Sequence, residues 1–365
     1  MKISCIIHSL NGGGAERIMA GLTSRLHRRG HEVTLITLDD GRQDKHEVDA
    51  GVKRMPLDVM GQSRSQLAAL INTIGRCKTI RAAIVGSHPD VVLSFCDATN
   101  VLTLLATRGL ATPVVVSERS DPEKQSLKWP WSHLRPRLYR RAAEVIVLTQ
   151  DAAKTVAPWC RQAPTIIPSA IDPPPALDHS HRQDRSEHVL LGIGRLEWEK
   201  GFDRLIDAFA SVAAHYPHWR LRIIGEGSCR PRLEQQVAAL GLASRIHFAG
   251  WVYPIWPTLQ DADAFALTSR YEGFPSALLE AMAAGLAVVA VDCPCGPRAI
   301  IRDEIDGLLV ADNDDAISAA LQRCMGDAAL RQRLGDEAAQ ITARFGWEAM
   351  VNAYEHRLLA CVRAD

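Results

Sequence analysis

Short apolar runs alternate with helical spacings along the whole chain. ISCIIH (3–8), HEVTLIT (31–37), VVLSF (91–95), PVVVS (113–117) and EVIVLT (144–149) are strand-length apolar segments. Helical periods lie between them, near 15–28, 65–86, 98–108, 132–142 and 151–157. Runs that are apolar at nearly every position predict strands covered on both faces, hence a parallel sheet. Residues 166–188 break this rhythm with Pro, His and Asp and no helical period. A second series follows: HVLLGIG (188–194), RLRIIG (220–225), RIHFAG (245–250), ADAFALT (262–268) and LAVVAV (286–291). Helices are expected from about 201, near 230–240, at 275–284 and from about 313 onward. The pattern predicts an α/β protein of two doubly wound domains, residues 1–168 and 188–345, joined by a linker at 169–187. Ligands of such domains sit at the carboxyl ends of the strands. Two facing domains would place a cleft between them.

Length agrees with this division, since 365 residues at ~150 per domain make two domains. Hydrophobic residues make up 47% and the net charge is zero, so no whole-chain affinity for a polyanion is implied. Charge is unevenly divided, however. Residues 1–180 carry 23 Lys and Arg against 17 Asp and Glu, and the remainder carries 19 against 25. Such a basic first half can orient a protein at an anionic surface. The nine cysteines are scattered, and Cys293 and Cys295 fit neither a zinc nor a redox spacing. Reduced thiols and a cytoplasmic location are the expectation. No run approaches the ~18 apolar residues that a membrane span needs.

The densest chemistry is the segment EGFPSALLE (272–280). It reads as a loop that opens a helix after a strand. Pro275 suits a first helical turn, where a missing N–H costs nothing. Ser276 and the free amides of that turn would form a phosphate site. Glu272 on the loop and Glu280 on the helix could accept hydrogen bonds from sugar and ribose hydroxyls. Two glutamates eight apart are common, so the pair alone says little. Gly194 to Gly201, GRLEWEKG, occupies the same structural place after strand 188–193. Arg195 can fork onto phosphate oxygens and Lys200 can act as a point charge. Two such cations facing a helix N-terminus would hold a diphosphate without a metal and stabilise it as a leaving group. Gly225 opens a further loop, GEGS, expected to line the same site, and Gly250 with Trp251 and Val252 to border a base.

Gly12, Gly13 and Gly14 lie between the first strand and the first helix. They permit close backbone approach to a ligand but do not complete a dinucleotide fingerprint. Residues 124–141 hold six lysines and arginines and no acid. Lys124, Lys128, Arg135 and Arg137 interleave there with Trp129 and Trp131, which suits an anionic membrane surface. No nucleic-acid motif accompanies these charges. Asp261 and Asp263 resemble a metal-binding pair, but they precede a strand, away from the expected ligand end.

GGGAER near the start, GRLEWEKG, GEGS and EGFPSALLEAMAAGLAVVA occur in this order and spacing. Together they resemble the retaining glycosyltransferases of family 4, with the GT-B fold, over nearly the whole chain. The resemblance implies that Arg195 and Lys200 bind the diphosphate of a nucleotide-sugar and that Glu280 binds its ribose. It implies that Glu272 contacts the donor sugar, and that backbone groups of Phe274, Pro275, Ser276, Ala277 and Leu278 hold phosphate and sugar. A final helix, about 346–365, would cross back to the first domain. Many members carry a first-domain His beside the donor sugar. Here PVVVS runs into Glu118-Arg119-Ser120-Asp121-Pro122, as in a subgroup that builds bacterial surface and lipid-linked glycans. Glu118 and Arg119, with Gly12 and Gly13, are expected to line the acceptor site, Gly14 and Gly225 to meet the donor, and His8 is a substitute candidate for the missing His. The implied activity is transfer of a hexose or N-acetylhexosamine from a nucleoside-diphosphate sugar, with UDP the expected carrier. The implied acceptor is linked to polyprenyl diphosphate at the inner membrane face, and neither cofactor nor metal is required. A UDP-sugar epimerase, or a non-catalytic nucleotide-sugar or nucleic-acid binding protein, are the rival readings.

Overall fold

The computed structural model describes residues 1–61, 66–125, 127, 131–176 and 186–363. It divides into two compact units, one of residues 1–169 with the chain from Trp347 onward, the other Ala170–Gly346. Among the described residues, the first unit holds a seven-stranded sheet. Its strands are β1 (Lys2–Ile7), β2 (Glu32–Thr37), β3 (Lys53–Pro56), β4 (Val91–Phe95), β5 (Val114–Ser117), β6 (Glu144–Val147) and β7 (Thr165–Ile166). They run in the order β3-β2-β1-β4-β5-β6-β7, every pair parallel. The order reverses between β1 and β4, the place where ligands of such sheets collect. The connecting helices are α1 (Gly14–Arg28), α2 (Gln66–Ser87), α3 (Asp97–Ala106), α4 (Trp131–Tyr139) and α5 (Gln150–Val156). β1, β2, β4, β5 and β6 are buried almost throughout, as the unbroken apolar runs required.

The second unit repeats the plan in chain order. β8 (His188–Ile193), α6 (Phe202–Ala213), β9 (Trp219–Ile224), α7 (Arg230–Ala239), β10 (Ile246–Gly250) and α8 (Trp256–Gln260) form one half. β11 (Ala264–Leu267), α9 (Ser276–Ala283), β12 (Ala287–Val291), α10 (Pro297–Ile300) and β13 (Leu308–Val310) form the other. α11 (Asp314–Gly326), α12 (Ala328–Ala338) and α13 (Ile341–Arg344) complete it. The parallel strand order β10-β9-β8-β11-β12-β13 reverses between β8 and β11.

The chain then returns to the first unit as α14 (Trp347–Arg363). Trp347, Met350, Val351, Tyr354 and Leu358 recur at helical spacing and are all buried, each worth roughly 1.5–3 kcal/mol of apolar burial. Tyr354 meets Ser117 Oγ at 3.0 Å, and Glu355 takes Arg29 and His31 at 2.6 Å each. A Cβ at Gly21 would lie 2.4 Å from the Trp347 ring, so only glycine lets α14 settle on α1.

β3, β7 and β13 depart from the sequence expectation. KRMP in β3 is an edge strand with a closing proline, and β7 and β13 are too short to show a period. The expected linker also begins later. Ser169, Ala170 and Ile171 are buried, and Ile171 bridges Gly346. Residues 177–185, the centre of that linker, lie outside the described residues.

Candidate functional site

In the second unit, the loops after β8 and β11 flank the point where strand order reverses. Lys200 stands on the first loop and Glu272 on the second. Lys200 Nζ donates to both carboxylate oxygens of Glu272, at 2.7 and 2.9 Å, and Ser269 Oγ donates to Oε1 at 2.7 Å. The pair is largely buried, with side chains 20% and 7% exposed. The structure thus joins two residues 72 positions apart that the sequence marked separately. Arg270 braces the same loops by forking onto Asp203 at 2.9 and 2.6 Å. Burial alone would raise the Asp203 pKa, but the Arg270 bonds outweigh it and hold that carboxyl below its usual range.

Arg195 differs from the expectation of two fixed cations. Its side chain is 74% exposed and pairs with Glu199 at 2.9 Å. Leu196, the next residue, is fully buried and pins the loop, leaving Arg195 as an arm in solvent. Pro275 is the residue before α9 rather than inside its first turn, with φ −69° and ψ 105°. Its carbonyl accepts from Leu278 and Leu279. The N–H groups of Ser276 and Ala277 have no acceptor within the helix, and both residues are half-buried. Phe274 turns inward, edge-on to Phe345 at 5.4 Å, and Leu278 is fully buried, so at both positions only backbone can serve a ligand. Glu280 is half-buried on α9, one turn beyond Ser276.

Close backbone packing fixes these loops. The Gly225 N–H donates to Gly250 O at 2.7 Å, so Gly225 shapes its loop and has no amide to offer a ligand. Its φ is +137°, and a Cβ there would lie 1.9 Å from Gly194 O. A Cβ at Gly201, φ +64°, would lie 2.1 Å from Thr268 O. Each glycine therefore welds the Arg195–Lys200 loop to a neighbour. Ser269, Asp203 and Arg270 carried no sequence signal of a site, because nothing in the spacing shows that they touch it. Asp263 accepts from Val189 N at 2.7 Å and meets His188 Nδ1 at 3.1 Å, a structural role. Among the described residues no group of three His, Cys, Asp or Glu is placed to hold a metal.

The first unit corrects two assignments. Glu118 was expected to line an acceptor site and Arg135 to touch a membrane. Both are buried, and they pair with each other at 2.9 Å. Tyr139 also donates to Glu118, and the Arg135 guanidinium lies 5.0 Å from the Trp159 ring centre. The reason is that α4 turns Arg135 toward β5, beneath the loop that Asp121 caps. Arg119 is half-buried and reaches Ser169 Oγ at 2.6 Å and Tyr354 at 3.5 Å, so it ties β5 to α14. Lys124 and Arg137 are exposed and Trp131 is half-buried; Lys128 and Trp129 lie outside the described residues. No helix among the described residues is long and apolar enough to cross a membrane.

Glu118 gives this unit a pH dependence. Burial, opposed by Arg135 and reinforced by Asp97, raises its pKa from 4.5 to about 7. Between these two values the folded protein keeps a proton that the unfolded chain has released. Stability therefore falls as pH rises from about 4.5 to about 7. Melting temperatures at pH 5 and pH 8 are expected to differ by a few degrees from this source, and Glu118→Gln should remove that part of the slope. An unchanged slope in the variant would refute it.

Gly12 and Gly13 precede α1, and Gly14 is its first residue. Gly12 has φ +104°. A Cβ at Gly13 would lie 2.2 Å from a Glu16 carboxylate oxygen, so the glycine makes room for a folded-back acid.

The two parallel sheets, with their loops at the reversal points, define a two-domain α/β protein of the GT-B class. Residues 13–168 match the family described as Glycosyl transferase 4-like domain, and residues 175–341 match Glycosyl transferases group 1. The fold is shared with a sucrose-phosphate synthase from Thermosynechococcus elongatus, at TM-score 0.87 and 19% identity over all of both chains. It is shared with Anabaena HepE, solved with UDP and glucose, at TM-score 0.81 and 20% identity over 99% of this chain and all of that one. A Campylobacter jejuni relative is 28% identical over 93% of each chain. It is named GalNAc-alpha-(1->4)-GalNAc-alpha-(1->3)-diNAcBac-PP-undecaprenol alpha-1,4-N-acetyl-D-galactosaminyltransferase. The chain belongs to the glycosyltransferases with a family-4-like first domain and a group 1 second domain.

Proposed function

We propose that this glycosyltransferase retains anomeric configuration and moves a hexose or N-acetylhexosamine from a UDP-sugar to a glycan carried on polyprenyl diphosphate. It acts in bacterial polysaccharide or glycan assembly, as a peripheral protein on the inner face of the cell membrane. The observation that carries the reading is the Lys200–Glu272 pair where strand order reverses, beside the N-terminus of α9. Lys200, the Arg195 arm and the first amides of α9 supply positive charge for a diphosphate. The bond from the sugar C1 to the diphosphate oxygen breaks as the acceptor oxygen bonds to C1 on the same face. The departing oxygen takes the acceptor's hydroxyl proton. Glu272, released from Lys200 by the diphosphate, accepts from donor-sugar hydroxyls, and Glu280 from the ribose. No metal or other cofactor enters this scheme.

The UDP complex of HepE supports the choice of donor, and the name of the Campylobacter relative supports a lipid-linked acceptor. Exposed Lys124, Arg137, Arg140 and Arg141 support contact with an anionic membrane. The test is purified protein with UDP- and GDP-sugars and an undecaprenyl-diphosphate-linked saccharide. Release of nucleoside diphosphate and a product whose new linkage keeps the donor's anomeric configuration by NMR are expected. Folded protein that releases none with any pair would overturn the proposal. In the same assay Arg195→Ala should raise the donor KM about tenfold, a loss of ~1.4 kcal/mol. Its melting temperature should not change, because an exposed pair adds little stability.

A further inference from the structure

One cluster in the first unit has no role in the transfer scheme proposed above. His8 is the first residue past β1, and Glu16 sits in the first turn of α1. His8 Nε2 and Glu16 Oε1 are 3.0 Å apart, with side chains 35% and 13% exposed. Burial tends to raise the Glu16 pKa, but the bond to His8, charge attraction to that ring and its own backbone N–H outweigh it, so its carboxyl lies below the usual range. An ionised carboxylate can only accept, so the proton of the shared bond belongs to His8 Nε2. In the neutral ring Nδ1 then bears a lone pair, and among the described residues it has no hydrogen-bond partner. Leu38 and Asp39 both donate to His8 O at 3.1 Å, which fixes the backbone beneath the ring. Gly13 leaves the space that Glu16 fills. His46 bonds the Gly13 backbone nearby, and burial lowers its pKa.

The position is telling. Ile6 pairs with Ser94, so His8 stands level with Cys96 at the ends of β1 and β4. This is where strand order reverses in the first sheet, the crevice where such a sheet receives its ligand.

We propose that His8 is an acceptor-binding residue of this unit: Nδ1 takes a hydrogen bond from a hydroxyl of the acceptor sugar other than the one that is glycosylated, and Glu16 holds the ring in that tautomer. The inference rests on the proposed glycosyl transfer. The hydroxyl that is glycosylated keeps its own proton for the departing diphosphate oxygen. Glu16 acts only through His8 and is a positioning residue.

His8→Gln keeps a donor for Glu16 but removes the lone pair at Nδ1. On whichever donor and acceptor the wild type turns over, its kcat/KM for the acceptor should fall on the order of 100-fold. Binding of UDP by calorimetry should be unchanged. Transfer at the wild-type rate would overturn the proposal. ¹⁵N NMR of the His8 ring in the wild type decides it independently. In the neutral ring, Nδ1 unprotonated and Nε2 protonated is the expected tautomer; the opposite tautomer would overturn it. Should no donor–acceptor pair react with the wild type, the proposed function itself fails, while the NMR result still judges the tautomer.

Discussion

Lys200→Ala is expected to lower kcat/KM for the sugar donor by ~10²–10³, the usual consequence of removing one group that faces charge developing in a transition state. It should also destabilise the second unit by about 3 kcal/mol, because Glu272 would remain almost buried without the ammonium that it now binds through both oxygens. The two effects have different causes and can be separated. Lys200→Met combined with Glu272→Gln removes both charges, leaving Ser269 to bond the amide oxygen in place of the carboxylate. The double variant should regain most of the melting temperature and none of the activity. Recovery of activity along with stability would mean that Lys200 serves the fold alone.

The largest effect on stability is expected at Gly225. A φ of +137° lies outside the range of L side chains, and an alanine Cβ would lie 1.9 Å from the Gly194 carbonyl oxygen. Backbone strain costs about 1–3 kcal/mol, and an overpacked contact adds a similar amount. At ~2–4 °C per kcal/mol for a unit of this size, Gly225→Ala should lower its melting temperature by roughly 10 °C. Donor affinity should fall too, because the displaced segment carries Arg195. A melting temperature equal to that of the wild type would show that the two loops do not meet as described.

Strands and helices were readable because buried parallel strands are apolar at nearly every position, a signal that needs no knowledge of neighbours. Edge strands such as Lys53–Pro56 carry little of that signal. The glutamate segment and the Arg-Lys loop stood out through their glycines and proline. Their partnership did not, because the contact of Lys200 with Glu272 depends on β8 and β11 being adjacent. Arg135 shows the limit most clearly. A basic helix with tryptophans has the same composition whether its cations face a membrane or one turns inward to a buried glutamate. Only the rotation of α4 distinguishes the two, and nine residues with a proline at 136 are too few for the period to reveal it.

Calorimetric titration of UDP into wild-type protein and into the Lys200→Met, Glu272→Gln double variant, both in buffer with EDTA, tests the central claim most directly. The account predicts metal-free binding by the wild type and at least a ~100-fold weaker affinity in the folded variant, equivalent to ~2.7 kcal/mol. Equal affinity in the two proteins, or binding by the wild type only when a divalent cation is restored, would contradict it.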